Sequence, residues 1–530
     1  MEYDVIIVGA GSAGCVLANR LSASPQRRVL LLEAGGRDTN PWIHIPAGFT
    51  RTLNNPAVNW CFDTEPEPNV NGRSIDIPRG KVLGGSSSIN GMLYVRGQAR
   101  DFDGWAQAGN RGWSFDDVLP YFKRSESFER GENGLRGGSG PLEVCDIHER
   151  HEMIDAFVAA GEELGYPRNP DYNGERQDGF GYYQVTQRRG RRESAATAFL
   201  DPARERPNLT VVTNAFVSRI VLAQGRAEGV VYQAGGVEHR ANASACVVLS
   251  AGAVQSPQIL ELSGVGDPQV LARHGIEITH ALPGVGAGYR DHYAARLNWR
   301  VSRPITLNEQ TRGLSLARAL IKYLFTRRGV LTLPAGIGHG FIRTRPELET
   351  PDVQMFFAHA SFASAKDRKF DRSPGMTIGV YQCRPESKGS IHIRSARPGD
   401  RPVIRPNFLA DPLDRETLVA GLRVARALGE TTAMASYRSH EMSPGAHCSS
   451  DEALLEHARQ TGATTFHPMG TCRMGPDAMA VVDDRLRIHG LEGLRIVDAS
   501  IMPAMPSGNI NAPVLMVAEK GADMIAEDLG

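Results

Sequence analysis

The chain has 530 residues, 41% of them apolar and 22% charged, a globular balance with ample length for a large core. Lys and Arg number 59, as do Asp and Glu, so the formal charge is zero, which excludes an electrostatic footprint for nucleic acid and leaves a homo-oligomer open. The 7 cysteines are scattered without a C-x-x-C pair, which excludes a disulfide framework or a cysteine metal site and reads as reduced thiols of a soluble, cytoplasmic protein with no bound metal.

Val5-Ile-Ile-Val8 is a short apolar run typical of a strand buried on both faces. Gly9 to Gly14 follow, a helix is predicted over Cys15 to Leu21, and Val29 to Leu32 make a second strand ending at Glu33: a β-α-β unit. From Pro41 to about Arg79, frequent Pro, Asn and Gly read as excursions over a surface, and Lys81 to Asn90 is a Gly/Ser loop. Helices are predicted over Trp105 to Glu126, with interruptions, and over Ile154 to Leu164. Leu209 to Leu222 and Val230 to Tyr232 alternate as strands. Ala245 to Ser250 is a buried strand running into glycine and a helix over Gln258 to Leu262. From about Leu297 to Ser449, strands such as Val353 to His359, Thr377 to Gln382 and Ser390 to Ile393 alternate with loops around a helix over Arg415 to Leu428. Leu494 to Asp498 is another buried strand, followed by a Gly/Asn turn and a helix over Pro513 to Glu527. No run of about 18 apolar residues occurs, so no membrane-spanning helix is expected. The expected architecture is α/β, with a nucleotide-binding domain in three pieces (1–150, 201–296 and 461–530), a connection over 151–200 and a substrate domain over 297–460.

Gly9, Gly11 and Gly14 form G-x-G-x-x-G between strand and helix. The first glycine permits a tight turn, the second lets backbone approach a pyrophosphate, and the third lets helix and strand pack closely. The helix N-terminus offers free N–H groups to phosphate, and Glu33, at the end of the second strand, is placed for ribose hydroxyls. The motif does not choose between NAD and FAD.

Two longer segments do. Gly80-Lys-Val-Leu-Gly-Gly-Ser-Ser-Ser-Ile-Asn90, with Tyr94 and Gly97, and Gly252-Ala-Val-Gln-Ser-Pro-Gln-Ile-Leu-Glu-Leu-Ser-Gly-Val-Gly266 resemble the two signatures of the glucose–methanol–choline (GMC) oxidoreductase family. Thr465 to Gly475 and Val497 to Pro503 are similar to that family as well, and the likeness runs from about residue 3 to residue 528. The resemblance implies FAD, a Rossmann-like FAD domain of the glutathione-reductase type, and a substrate domain built on a six-stranded antiparallel sheet. Carried over by position, the cofactor would meet Gly9, Gly11, Ser12, Ala13, Gly14, Glu33 and Ala34 in the first unit. Gly84, Gly85 and Ser86, then Asn90, Gly91, Met92 and Leu93, would line the pyrophosphate and the flavin ring. Trp60, Val217 (at the adenine), Asp498, Ala499 and Ala512 complete the set.

Alcohol oxidation needs a base for the hydroxyl proton while the carbinol hydride leaves, and a neutral histidine suits that task. His467, in Thr-Thr-Phe-His-Pro-Met-Gly, is singled out because Pro468 restricts its backbone and because the resemblance places the family's catalytic histidine there. The second catalytic position falls in Gly508-Asn-Ile-Asn511, where Asn511 is expected to hydrogen-bond the substrate oxygen and Asn509 to belong to the turn.

Some choline-type members attach FAD to a histidine just before the asparagine of the first signature; here Ile89 stands there, so noncovalent FAD is expected. Their glutamate four residues before the phenylalanine of a Gly-Phe pair corresponds to Ile337, with His339 a further local difference. A neutral primary alcohol is therefore favoured over choline, and O2, a quinone or another carrier would take up the electrons. Leu314 to Leu333 mix apolar residues with Arg318, Lys322, Arg327 and Arg328, which reads as a helix with a solvated basic face, the alternative being a peripheral membrane patch. A hydroxynitrile lyase-like enzyme, a choline dehydrogenase, a non-catalytic FAD binder and a nicotinamide enzyme are the competing readings.

Overall fold

The computed structural model describes residues 2–364 and 369–530. Two sheets organise it. In the first, the order is 209–213, 29–33, 2–8, 237–249, 226–234 and 216–223, and 494–496 also pairs with 237–249. Strand 2–8 runs parallel to 29–33 and to 237–249, 209–213 runs parallel to 29–33, and 494–496 runs parallel to 237–249. Val237–Leu249 serves two neighbourhoods. Its first half pairs antiparallel with 226–234, and its second half is flanked by 2–8 and 494–496. Val5 to Val8 and Val29 to Leu32 are almost fully buried, as a strand covered on both faces requires.

The second sheet runs 438–443, 293–301, 375–382, 353–358, 338–342 and 179–182, every pairing antiparallel. A two-residue strand, Ala463–Thr464, adds to the start of 293–301 and leads straight into His467. Gly179–Tyr182 lies in the segment read from sequence as a connection, yet it forms an edge of this sheet. Its alternate glycines hide the strand pattern: a Cβ on Gly181 would stand 2.7 Å from the His339 ring.

The helices follow the sequence expectations with wider bounds: Ser12–Leu21, Glu152–Glu163, Gly252–Leu262, Pro412–Glu430 and Asn511–Leu529. The interrupted pattern from Trp105 resolves into Ala99–Gln107 and Phe115–Ser125. Each sheet carries its own apolar core, one joining Val5, Trp105 and Leu515, the other Phe157, Trp299 and Leu422. The last helix packs on the first, where Arg20 and Arg124 both hold the buried Glu519 carboxylate. All seven cysteines are free. Among the described residues, no helix is long and apolar enough to cross a membrane.

Candidate active site

A cavity of about 350 Å³ opens at the carboxyl ends of the parallel strands, where Val8, Glu33, Ser250 and Asp498 meet residues of the second sheet. This is where open parallel sheets present ligand sites. The Gly9 turn has φ +98°, and a Cβ on Gly14 would lie 1.8 Å from the Gly9 carbonyl oxygen, so helix and turn touch. Gly11 differs: the nearest atom to its Cβ would be Gly85 Cα, 4.0 Å away, so a side chain there would enter the cavity. The helix beginning at Ser12 has no side-chain cap and no acid in its first turn, so its N–H groups are unclaimed. The helix beginning at Asn511 is likewise uncapped, and the Ser12 hydroxyl donates to Asn511 Oδ1 at 2.7 Å, joining the two N-termini.

Glu33 accepts from the N–H groups of Ala10 and Gly35, and burial pushes its pKa up to about 7. The Gly/Ser loop is pinned by the buried Arg192, which donates to Ser87 O, Asn90 Oδ1 and Asn90 O. Desolvation lowers this guanidinium to about 9, a sign of how dry its setting is. Met92 takes φ +63°, held by its N–H donating to Asn90 Oδ1. Trp60 stacks on Phe62 at 5.7 Å and carries Lys81 Nζ 4.6 Å above its ring, so it lines the cavity as part of a packed aromatic group.

His467 stands at the other end of the cavity. Its N–H donates to Asp291 Oδ1 at 2.8 Å, its Nδ1 lies 3.0 Å from His292 Nδ1 and 2.9 Å from Thr465 Oγ1, and its Nε2 lies 3.0 Å from Asn509 Nδ2. Burial, with the His292 ring and the Arg79 guanidinium alongside, holds its pKa well below the ordinary histidine value. Asp291 is fastened by Tyr289 and Thr464 and is pushed up to about 6 by burial.

The structure corrects the choice of asparagine. Asn509, expected to be a turn residue, faces His467, whereas the Asn511 amide faces Ser12 and the glycine turn. Asn509 precedes the helix that begins at Asn511, so the two amides stand on different elements and Asn509 is the one that reaches the imidazole. Of the residues carried over for the cofactor, Gly14, Gly84 and Ala512 stand back from the cavity, and the rest line it. Gly14 packs on the turn, Gly84 donates its N–H to Ala10 O, and Ala512 is buried in its helix. Asp498 lines the cavity, but its carboxylate is engaged by the N–H groups of Gly252 and Ser500 and the Ser256 hydroxyl, capping two helical segments. Sequence reasoning missed Asp291, His292 and Arg192. The contacts that give them their place in the site are remote in sequence: Asp291 and His292 meet His467 across 176 and 175 residues, and Arg192 meets Asn90 across 102.

The cavity suits an elongated dinucleotide: an acid for a ribose, two free helix N-termini and facing glycines for a pyrophosphate, and a polar-edged loop beside a buried histidine. Residues 3–294 match the N-terminal part of the GMC oxidoreductases, and residues 385–518 match the C-terminal part. An alcohol dehydrogenase (acceptor) of Pseudomonas putida is 42% identical over 99% of this chain and 95% of its own length. An oxygen-dependent choline dehydrogenase of Photobacterium profundum is 41% identical over 99% and 93%. Among solved structures, pyridoxine 4-oxidase from Mesorbium loti superposes with TM-score 0.90 at 32% identity, covering 98% of each chain. Formate oxidase of Aspergillus oryzae, whose FAD modification has been studied by mutation, gives 0.92 at 27%, covering 99% of this chain and 98% of its own. The family and these flavoenzyme neighbours indicate FAD, and the chain belongs to the GMC oxidoreductase family.

Proposed function

We propose that this oxidoreductase converts a neutral primary alcohol, aliphatic or aromatic, to its aldehyde, with noncovalently bound FAD and His467 as base. The observation that carries this reading is His467 Nε2 facing the cavity 3.0 Å from the Asn509 amide. Bound FAD supplies a two-electron acceptor for the carbinol hydride at flavin N5. His467 Nε2 takes the hydroxyl proton, and Asn509 Nδ2 donates to the oxygen as negative charge develops there. Burial keeps the imidazole neutral and ready for this proton. Noncovalent attachment is supported by Ile89, a buried hydrocarbon packed with Ile43, Leu53 and Val82 at the covalent-link position.

The substrate end favours a neutral molecule. Among the described residues, the carboxylates lining the cavity are Glu33 and Asp498, both at the nucleotide end. The substrate end carries Arg79 and Arg296 among Tyr183, Phe356 and Tyr381, so a quaternary ammonium would meet guanidinium charge. Ile337, the position to which the resemblance assigns the glutamate of choline-acting members, is buried in the second core. For the electron acceptor, O2, a quinone and another carrier are the candidates. The helix Gly313–Thr326 supports contact with an anionic lipid surface, because Leu314, Ile321, Leu324 and Phe325 are exposed beside Arg318 and Lys322.

The test is anaerobic mixing of flavin-loaded enzyme with a panel of primary alcohols, choline included, while the visible flavin band is followed. Neutral alcohols bleach it and choline does not, and His467→Ala slows bleaching by roughly 10²- to 10⁴-fold. Admitting air, then a quinone, identifies the acceptor. A loaded enzyme that resists every alcohol would sink the reading and bring a redox-silent lyase forward.

A further inference from the structure

We infer that His292 is a positioning residue that fixes the tautomer of His467, holding the proton on Nδ1 so that Nε2 meets the substrate as a bare lone pair. The inference deepens the proposed role of His467 and rests on that reading.

The proton positions follow from the contacts. His292 Nε2 lies 2.8 Å from the Cys383 carbonyl oxygen. A carbonyl only accepts, so His292 Nε2 carries a hydrogen. The His292 ring is wholly buried, and burial lowers its pKa to about 4, so near neutral pH the ring is uncharged and its Nδ1 is bare. Two bare nitrogens do not approach to 3.0 Å. The hydrogen in the His292–His467 contact therefore belongs to His467 Nδ1. A neutral His467 protonated at Nδ1 has its lone pair at Nε2.

Thr465 alone does not settle this. Its hydroxyl, 2.9 Å from His467 Nδ1, can donate or accept, whereas the carbonyl behind His292 allows one answer only. Since the Thr465 hydroxyl also reaches His292 O at 3.4 Å, it is free to accept from His467. The other end of the ring agrees. The Asn509 amide nitrogen only donates, and its Oδ1 is oriented by Gln354 Nε2 at 3.3 Å, so His467 Nε2 is the acceptor in that contact too.

When substrate enters, the Asn509 amide turns to the substrate oxygen, and His292 alone among these partners dictates the tautomer. In the reaction the substrate O–H bond breaks and an Nε2–H bond forms on His467. The resulting imidazolium donates its Nδ1–H to the His292 lone pair, and His292 takes no proton. The adjacent Asp291 holds the backbone N–H of the same histidine, so one dipeptide sets both the place and the protonation pattern of the base.

The deciding measurement is nitrogen-15 NMR of the histidine-labelled, FAD-loaded enzyme, with His467 and His292 assigned through His467→Gln and His292→Asn. The expected spectrum shows His467 as the Nδ1–H form, His292 as the Nε2–H form, and a nitrogen–nitrogen coupling across the hydrogen bond between them. A His467 signal of the Nε2–H form without that coupling overturns the inference, whatever the activity. In anaerobic mixing, His292→Leu slows flavin reduction by roughly 10²-fold with little change in the alcohol concentration that half-saturates it, because the lost term belongs to base catalysis. His292→Asn, whose Oδ1 replaces the Nδ1 acceptor, restores most of the rate. Should His292→Leu not retain FAD, the wild-type coupling and the asparagine variant still decide. If the coupling is present but no alcohol reduces the flavin, the hydrogen-bond chain stands and the alcohol reading fails. If alcohols reduce the wild type and His292→Leu is as fast, the positioning role fails and the alcohol reading stands.

Discussion

At the residue scale, the two asparagines of Gly508-Asn-Ile-Asn511 separate by direction. Asn509→Ala removes the amide beside His467 and is expected to slow flavin reduction by roughly 10²-fold. Asn511→Ala breaks the bond from Ser12 that joins the two helix N-termini, and is expected to weaken FAD retention while leaving the reduction rate of loaded enzyme near wild type. Stopped-flow reduction and flavin content per chain distinguish them, and the reverse pattern would restore Asn511 as the catalytic partner. The sequence places a histidine and an asparagine at the site, but the choice between neighbours depends on where the last helix begins. His292 was illegible for a related reason: its bond to His467 joins positions 175 residues apart. Acidity offers a further check. Burial first, and the Arg79 guanidinium, hold His467 below the ordinary histidine pKa, while Asp291 engages only its backbone N–H. The neutral base therefore persists as pH falls past 6.5, and the acid limb of the reduction rate is expected below that value. A limb at or above 6.5 would contradict the dry setting described for this ring.

Among the elements, the glycine turn and the exposed helix each carry a test. Gly11→Ala is expected to leave the apoprotein's melting temperature nearly unchanged while weakening FAD binding, because its Cβ meets only the cavity. Gly14→Ala drives a Cβ into the Gly9 carbonyl and is expected to prevent folding, or to destabilise the chain by several kcal/mol. Here the sequence motif was legible for the tight turn at Gly9 and the close packing at Gly14, since a backbone constraint is local. The helix Gly313–Thr326 was less so. Its composition shows apolar and basic residues, yet composition does not say which face turns outward. The structure buries Tyr323 and exposes Phe325 at 86% and Leu314 at 78% beside the exposed Arg318 and Lys322, so the outer face adds large apolar side chains to the basic ones expected. Cosedimentation with vesicles is expected when anionic lipid is present and absent with purely zwitterionic lipid. Phe325→Ser should weaken it by about 10-fold, the value of one buried aromatic ring. Concentration-dependent dimerisation that Phe325→Ser abolishes, without vesicle binding, would assign the face to a second copy of the chain instead.

For the whole molecule, stability against acid follows from buried groups of opposite sign. His292 titrates at about 4, and His339 and His359 at about 3, all lowered by burial. Below 6.5 the unfolded chain binds protons that these rings refuse, so their contribution to stability falls as pH drops. Glu33 and Glu193 at about 7 and Asp291 at about 6 are raised by burial, so the folded state binds their protons first and their contribution grows as pH drops toward 4.5. The two sets oppose each other between about 4.5 and 6.5. Below that the gain from the glutamates is complete, the gain from Asp291 ends near 3.8, and Asp477, held at about 2 by Arg473, adds its own loss to that of the histidines. A denaturation series is expected to show a shallow pH dependence above 4.5 and a steep loss beneath it. His339→Phe, set among Tyr172, Tyr183 and Phe341, should lessen that loss by about 1.4 kcal/mol per pH unit, and an unchanged slope would count against it. At this scale the β-α-β unit, the returning strands and the final helix were readable because each buries a continuous apolar run. The edge strand Gly179–Tyr182 was not, because glycines alternate where a pattern would show.

The pairing of residues 2–8 with 237–249, and of 237–249 with 494–496, has a consequence for how the protein is made. At roughly 5–20 residues per second of synthesis, the opening strand emerges on the order of ten seconds to a minute before 237–249 exists, and 237–249 precedes its own partner 494–496 by a similar interval. Until then its apolar edge is exposed, and neither His467 nor Asn509 has been translated. A nascent chain therefore offers chaperones a ready strand but has no working centre, and a ribosome that stops early releases a product without the base.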